Sequence, residues 1–551
     1  MEKDWYRRMC FYQIWVRSFC DGNGDGIGDL YGVYDKLPYI HSLGVDGIWF
    51  SPLYPSPNAD YGYDISDYRN IHPEYGDLQQ FQKVLQRAHE LGLKVIMDLV
   101  VNHTSDEHPW FMESRKSKDN PYSDYYIWRD ARKGKLPNNW DSLFEGKAWE
   151  YVPERDQYYL HLFAKKQPDL NMDNPKVREE VKGIMRFWLD MGVDGFREDV
   201  ITFISKKAGL PDGLPFLPIA NGMPFYKDGP RIHEYLAEFR KVCEDYDCFQ
   251  LGEGPMTTTK SALSYMTGKH KSLDLMFHFD HMMADCMFTE YIQRPFQLKR
   301  LKHAFSKWQY ALEGKAWNTL YLENHDHPRI ISRYGSENYI RESGTMLAVC
   351  YLFLQGTPFI YQGQEIGMTN IRLKSIDQYV DVSSKNNYHT FHLKDSIEKR
   401  LARIHASSRD SSRTPMQWDT SANAGFTTGK PWFYVNPNYT RINVERQEQE
   451  PDSILNFYRR CLCYRKQSEV ALWGTYHEYY RSSGKIYMYD RVWKGKSLLV
   501  ICSFAEHLIS VRFPPKYRQQ QGKMILCNYK DSDQENRKLR AFETRVYEYE
   551  I

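Results

Sequence analysis

No run of about 18 apolar residues occurs in this sequence, so no membrane-spanning helix is expected. Nor does the start, Met1-Glu2-Lys3-Asp4-Trp5, set an apolar stretch behind a basic one, so no secretory leader is expected. Charge of one sign is missing too. Lys and Arg number 73 against 71 Asp and Glu, a formal net charge of +2, which gives no long-range field to gather nucleic acid or an anionic membrane. There is no internal repeat and no low-complexity tract. Glycine (34), proline (26), phenylalanine (28), tryptophan (14) and tyrosine (42) are spread along the chain, against a disordered or coiled-coil reading. The ten cysteines are scattered, several of them (Cys10, Cys350, Cys502, Cys527) inside apolar segments. Cys243 with Cys248, and Cys461 with Cys463, have no second pair at metal-ligand spacing. Reduced, structural thiols in a reducing cytoplasm are the expectation.

What is present is a long globular chain. At 551 residues and 42% hydrophobic content it exceeds one ordinary domain but suits a barrel with insertions. Apolar runs alternate with amphipathic stretches. The runs are FYQIWVRSF, VDGIWFSPLY, KVIMDLVVNH, VDGFREDV, CFQLGE, LDLMFHFD, WNTLYLENHD and GTPFIYQGQE. Helical periodicity is expected at Asp35–Leu43, Gln79–Leu91, Pro175–Met191, Gln297–Leu312 and Glu342–Leu354. Eight strand signals, most followed by a helix, predict a closed (β/α)8 barrel. A doubly wound open sheet is the rival, but no glycine fingerprint for a dinucleotide follows the first run.

Residues 104–173, between the third strand and its helix, are rich in Asp, Asn, Tyr, Trp and Lys without long periodicity. Insertions after barrel strands land on the catalytic face, so a small lobe over the site is expected. The segment around 366–450 should cover the same face. From about 473 the pattern becomes strand and turn (KIYMYDRVW, SLLVICSF, KMILCNY, FETRVYEYEI), which reads as an antiparallel β-sandwich. The expected division is 1–103 with 174–472 as barrel, 104–173 as inserted lobe and 473–551 as C-terminal β domain.

Barrel strands present catalytic groups at their C-terminal ends. Here those ends carry Asp98 and His103 on the third, Asp199 on the fourth, Glu253 on the fifth and Asp326 on the seventh. One such acid is commonly a helix cap. Three carboxylates converging from strands four, five and seven suit glycoside cleavage, where one attacks the anomeric carbon and one protonates the leaving oxygen.

The blocks DLVVNH (98–103), GFREDV (195–200), GE within FQLGEG (249–254) and ENHD (323–326) resemble those of glycoside hydrolase family 13, the α-amylase family. Through QPDLN (167–171) and SRDSSRTPMQW (408–418) the sequence is most similar to the oligo-1,6-glucosidase group. The resemblance implies Asp199 as nucleophile, Glu253 as general acid/base and a retaining double displacement, with the two carboxyls about 5–5.5 Å apart. Arg197, on the same strand face as Asp199, would keep the nucleophile ionised. Asp326 would hold the sugar's 2- and 3-hydroxyls, and His103 with His325 would bind the same glucose. Asp60, Tyr63, Phe163, Gln167 and Arg409 complete the implied pocket. Asp60 and Arg409 would bind the 4- and 6-side hydroxyls and close it, which enforces exo action. Tyr63 and Phe163 would offer aromatic faces.

Within DGNGDGIGD, Asp21, Asn23, Asp25, the Ile27 carbonyl and Asp29 alternate, with glycine at the sixth place. That matches the first part of a calcium loop, but position twelve is Gly32, so this is no EF-hand. The rival is a glycine-rich turn with capping aspartates. Similarity to the family's loop after the first strand implies one structural Ca²⁺ or Mg²⁺; no organic cofactor is expected.

Val200, directly after the nucleophile, goes with α-1,6 preference in similar enzymes, although one apolar contact discriminates by only about 1–3 kcal/mol. The resemblance thus implies a cytoplasmic, monomeric, exo-acting retaining α-glucosidase. Its substrates would be isomaltose and short isomalto-oligosaccharides, with no nucleic-acid or membrane partner. Trehalose-6-phosphate hydrolase, and an α-1,4-glucosidase or sucrase, are the alternatives. A catalytically dead transporter-associated relative conflicts with the intact acids. Two departures stand out: Glu198 replaces a commonly apolar residue, and Gly254 stands where the group often has Met.

Overall fold

All eight apolar runs form short parallel strands in the computed structural model, which describes residues 4–144, 146–217, 220–287, 289–390, 393–532 and 537–551. Residues 1–3, within the stretch read for a leader, lie outside the described residues. The strands are β1 (Phe11–Ile14), β2 (Gly47–Phe50), β3 (Lys94–Leu99), β4 (Gly195–Glu198), β5 (Phe249–Glu253), β6 (Leu275–Phe277), β7 (Thr319–Leu320) and β8 (Thr357–Tyr361). Their order is β7-β8-β1-β2-β3-β4-β5-β6. Side-chain bonds bridge the remaining seam: Thr319 donates to Met276 O at 3.0 Å and Tyr321 to His278 O at 2.9 Å. The sheet is nearly a closed barrel.

Alternation along each strand sorts the residues. Phe11, Trp49, Ile96, Phe249, Leu251, Leu275 and Phe359 fill the barrel interior, with the Phe11 ring stacked between Phe249 and Phe359. Their neighbours Tyr12, Ile48, Val95 and Phe196 face the surrounding helices. Buried on both faces, such strands need continuous apolar runs, which is why they are legible.

A helix follows each strand: α1 (Leu30–Leu43), α2 (Leu78–Glu90), α3 (Pro175–Asp190), α4 (Ile232–Tyr246), α5 (Thr259–Met266), α6 (Leu298–Leu312), α7 (Ile340–Leu352) and α8 (Ile454–Gln467). Their starts follow capping chemistry, as with Asp77 on α2 and Asn174-Pro175 on α3. Helix α1 begins at Leu30, five residues before the expected Asp35. Asp29 caps it through Gly32 N, and Gly32 packs so closely on Cys20 O that a Cβ there would clash.

The insertion after β3 holds a helix (Pro109–Ser114) and a three-stranded antiparallel sheet of Trp128–Arg129, Trp149–Val152 and Gln157–Leu160. The C-terminal sheet has five antiparallel strands, four of them at the expected runs and one more at Thr475–Tyr479. Its second layer is short: the ribbon Ile509–Ser510 with Lys538–Leu539, and the turn Pro515–Arg518, pack on its face.

One expectation about cysteine fails. Cys243 and Cys248 form a disulfide. Asp247 ends α4 in the left-handed region (φ 53°) and turns Cys248 back onto Cys243. The other eight are free, seven of them buried or half-buried. Among the described residues no helix is long and apolar enough to cross a membrane.

Candidate active site

The C-terminal ends of β3, β4 and β5 bring three carboxylates onto one guanidinium. Arg197 is fully buried, and strand register sets it beside Asp98. Its Nη1 donates to Asp98 at 2.5 Å and to Asp199 at 2.8 Å, while Nη2 pairs with Glu253. Trp49 Nε1 (3.1 Å) and Tyr63 OH (3.2 Å) hold the other Asp98 oxygen. Burial pushes Asp98 up to about 6, even against Arg197. Burial also raises Asp199 well above the carboxylate range and raises Glu253. Arg197 opposes both shifts, and the acids' mutual repulsion adds to them. Two carboxyls sharing one cation titrate as a set.

Val200 follows in the left-handed region (φ 35°), a strained conformation for a β-branched residue. The turn aims its N–H at Glu253 Oε2, 3.3 Å away. Its side chain lines the cavity.

Asp326, after β7, behaves oppositely. Burial would raise its pKa, but His325, then Arg409 and Arg413, hold it well below the usual range. His325 Nε2 lies 2.9 Å from Asp326 Oδ2, and Arg409 Nη1 and Arg413 Nη2 reach Oδ1 at 3.0 and 3.1 Å. Burial lowers His325 to about 4, so it is neutral at pH 7. Gln13 lies 2.7 Å from its Nδ1, and the ring stacks on Tyr63 with centroids 5.1 Å apart.

Arg409 also pairs with Asp60 at 3.1 Å and Asp381 at 2.6 Å. Of this three-way clamp, Asp60, Asp326 and Arg409 line the cavity, with Asp381 behind Arg409. Gln167 Nε2 lies 3.2 Å from Asp60 and 3.1 Å from His103 Nε2. Burial lowers His103 to about 4, and Phe163 packs on its ring with centroids 5.0 Å apart.

Asp60, Tyr63, His103, Phe163, Asp199, Val200, Glu253, Asp326 and Arg409 therefore line one cavity of ≈ 550 Å³. Gln167, Arg197 and His325 stand behind its surface and hold the residues that line it. Sequence reasoning missed Asp381, which orients Arg409, and Glu290, which also lines the cavity. Glu198 points away, as its place on the strand requires, onto Gln250 at 2.8 Å. Gly254 adds no side chain, and a Cβ there would meet Thr257 Oγ1 at 2.1 Å. Met256, at φ 55°, lines the wall instead.

The loop after β1 lies apart from this cavity. Asp21 accepts amides from Asn23, Gly24 and Gly26 and a hydroxyl from Thr427. Asp29 accepts from Gly22, Asn23 and Gly32. Asn23 and Asp25 accept the Asp25 and Ile27 amides. The donors are all hard oxygens, which fits a Ca²⁺ or Mg²⁺ ion. Even so, no three acidic, His or Cys side chains gather as a metal-holding group among the described residues.

A family model described as the α-amylase catalytic domain matches residues 13–474. The sequence is 48% identical to an oligo-1,6-glucosidase of Parageobacillus thermoglucosidasius, covering 100% of both chains. It is 42% identical to a trehalose-6-phosphate hydrolase of Bacillus subtilis (strain 168), covering 98% of each. Among solved structures, the trehalose-6-phosphate hydrolase of Bacillus licheniformis matches with a TM-score of 0.93 at 41% identity, over 99% of this chain and 100% of that one. The isomaltulose synthase of Protaminobacter rubrum matches at 0.95 and 38%, over 99% of each.

Proposed function

The chain belongs to the α-amylase family, and from that premise we propose that it is an exo-acting α-glucosidase. It would release glucose from the non-reducing ends of isomaltose and short isomalto-oligosaccharides. The observation that carries this reading is the clamp of Arg409 on Asp60, Asp326 and Asp381. Such a clamp would shut the cavity beyond a single terminal sugar, so that a chain could not thread past it. Two carboxyls on one buried guanidinium support double displacement. Asp199, the carboxylate that Arg197 Nη1 holds at 2.8 Å, attacks the anomeric carbon; the proton the coupled pair retains rests on Glu253, which gives it to the leaving oxygen and then takes one from water. Ionised Asp326 and neutral His325 and His103 bind the glucose hydroxyls. Asp326 strengthens its hold as positive charge develops on the ring.

Two rivals differ in the leaving group. Trehalose-6-phosphate hydrolysis needs a free cation for the phosphate. Among the described residues the basic side chains lining the cavity are all engaged: Arg409 by three acids, Lys307 by Asp280 at 2.6 Å, His327 by Glu290 at 2.8 Å and His103 by Gln167 at 3.1 Å. That favours a neutral leaving sugar. Val200, in its strained turn over the acid/base, favours the bendable α-1,6 link over α-1,4. The test is kcat/KM for isomaltose, maltose, sucrose and trehalose 6-phosphate side by side. Isomaltose should lead; maltose or sucrose in front defeats the linkage reading, and trehalose 6-phosphate defeats the charge argument.

The proposal extends to one structural Ca²⁺ or Mg²⁺ held by Asp21, Asn23, Asp25, the Ile27 carbonyl and Asp29. It also includes the three-part division at residues 104, 174 and 473. The enzyme would act as a cytoplasmic monomer on small neutral oligosaccharides.

A further inference from the structure

The wall of the same cavity also carries Met256, Met283, Tyr291, Asp280 and Glu290, residues that the glucose-binding set does not use. Asp280 Oδ2 is already taken by Lys307 Nζ at 2.6 Å and Trp308 Nε1 at 2.8 Å. Glu290 is held differently. It sits on the short strand Thr289–Gln293, and its Oε1 alone meets both Arg333 Nη1 at 2.6 Å and His327 Nδ1 at 2.8 Å. Arg333 is fixed in turn by Asp285 at 3.0 and 2.6 Å. His327 is the residue after Asp326, so the carboxylate is tied to the strand end that binds the glucose. Burial would raise the pKa of Glu290, but Arg333 and then His327 outweigh it and keep the group ionised.

Among the described residues, both bonds to this carboxylate fall on Oε1. No bond among these residues reaches the other oxygen, Oε2, and Glu290 lines both this cavity and a smaller one beside Asp285 and Arg333. An ionised, immobilised carboxylate in the wall of a sugar-sized space can accept hydroxyl hydrogens in short, charge-assisted bonds. It repels a phosphate for the same reason.

We propose that Glu290 is a specificity-determining residue for the leaving sugar, accepting one of its hydroxyls through Oε2 and selecting a neutral sugar over a phosphorylated one. This rests on the glucosidase reading and carries it from the glucose to the leaving group. His327 and Arg333 are the positioning residues.

The test compares the parent with Glu290→Gln and Glu290→Ala. Substrates are whichever disaccharide the parent cleaves best and 4-nitrophenyl α-glucoside, whose leaving group carries no sugar hydroxyl. Glu290→Ala should lower kcat/KM for the disaccharide about ten-fold more than for the aryl glucoside, chiefly through KM, the loss of one hydrogen bond to a charged group. Glu290→Gln keeps an acceptor without the charge and should fall between. It should also raise kcat/KM for trehalose 6-phosphate relative to trehalose. Equal losses on disaccharide and aryl glucoside, or no loss on either, overturn the proposal, as does trehalose 6-phosphate as the parent's best substrate. A parent that prefers maltose to isomaltose defeats only the linkage reading and leaves this comparison intact. Arg333 keeps Asp285 in both variants; should the Ala variant not fold, the Gln variant decides the same ratios.

Discussion

Glu198 carries a cost that its neighbours explain. It precedes Asp199 but faces the helices, fully buried, with Gln250 on Oε1 and no partner for Oε2 among the described residues. Burial pushes its carboxyl up to about 7, which the Gln250 bond only partly offsets. An unfolded chain would release that proton near ~4.3. Between those values the folded state binds more protons than the unfolded one, so stability falls as pH rises, and the whole penalty is present above pH 7. A shift of that size is about 4 kcal/mol. Glu198→Gln keeps the shape and removes the charge. Its melting temperature should exceed the parent's at pH 8, with most of the gain gone at pH 5. A gain of equal size at both pH values would show that ionisation is not its source. The same scale shows what the sequence hides. Asp381 precedes Val382 and accepts the amides of Ser383 and Ser384 as any helix-capping aspartate does, so nothing local betrays its second task on Arg409, 28 residues away. Glu290 likewise becomes visible only when the fold sets it beside His327.

At the scale of elements, continuous apolar runs made the barrel strands legible and motif blocks placed the acids at their ends. Helix starts were less legible where glycine obscured a cap, as at α1. The disulfide of Cys243 and Cys248 depends on a left-handed turn at Asp247 that spacing does not reveal. The loop after β1 is the element whose role most needs a direct measurement. Its amide–carboxylate bonds explain its shape unaided, while its oxygen donors suit a hard cation. An ion bound at a hundred times its Kd would stabilise the fold by about 2.7 kcal/mol. EDTA should therefore lower the melting temperature of the purified protein, Ca²⁺ or Mg²⁺ should restore it, and Asp21→Ala should remove the response. A parent indifferent to EDTA, with no metal by elemental analysis, would leave the loop as a capped turn.

The molecule as a whole is joined by buried cations set against carbonyl ends rather than by an apolar seam alone. From α6, buried Lys302 donates Nζ to the carbonyls of Tyr480 (2.5 Å), Ser483 (2.9 Å) and Ile486 (3.1 Å) in the C-terminal sheet region. In return, Arg491 of that sheet donates to Phe353 O at 2.8 Å, just past α7, and to Ala471 O at 2.9 Å. Burial lowers Lys302 to about 8 and Arg491 to about 9, a cost that these carbonyls offset together with Glu478, 3.8 Å from Lys302, and Gly474 O, 2.5 Å from Arg491. Units joined this way lose their partners together. Left alone, a barrel would bury Lys302 no longer but would expose the apolar faces of α7 and α8, which the sheet now covers through Cys350, Cys461 and Cys502. Calorimetry should accordingly show one cooperative transition for barrel and C-terminal sheet. Lys302→Met should lower its temperature, since stranding three buried carbonyls costs about 1–3 kcal/mol each, without splitting the peak. Two separable transitions in the parent, or a soluble, active chain ending at residue 472, would show that the sheet is an independent appendage and not part of the fold that holds the acids in place.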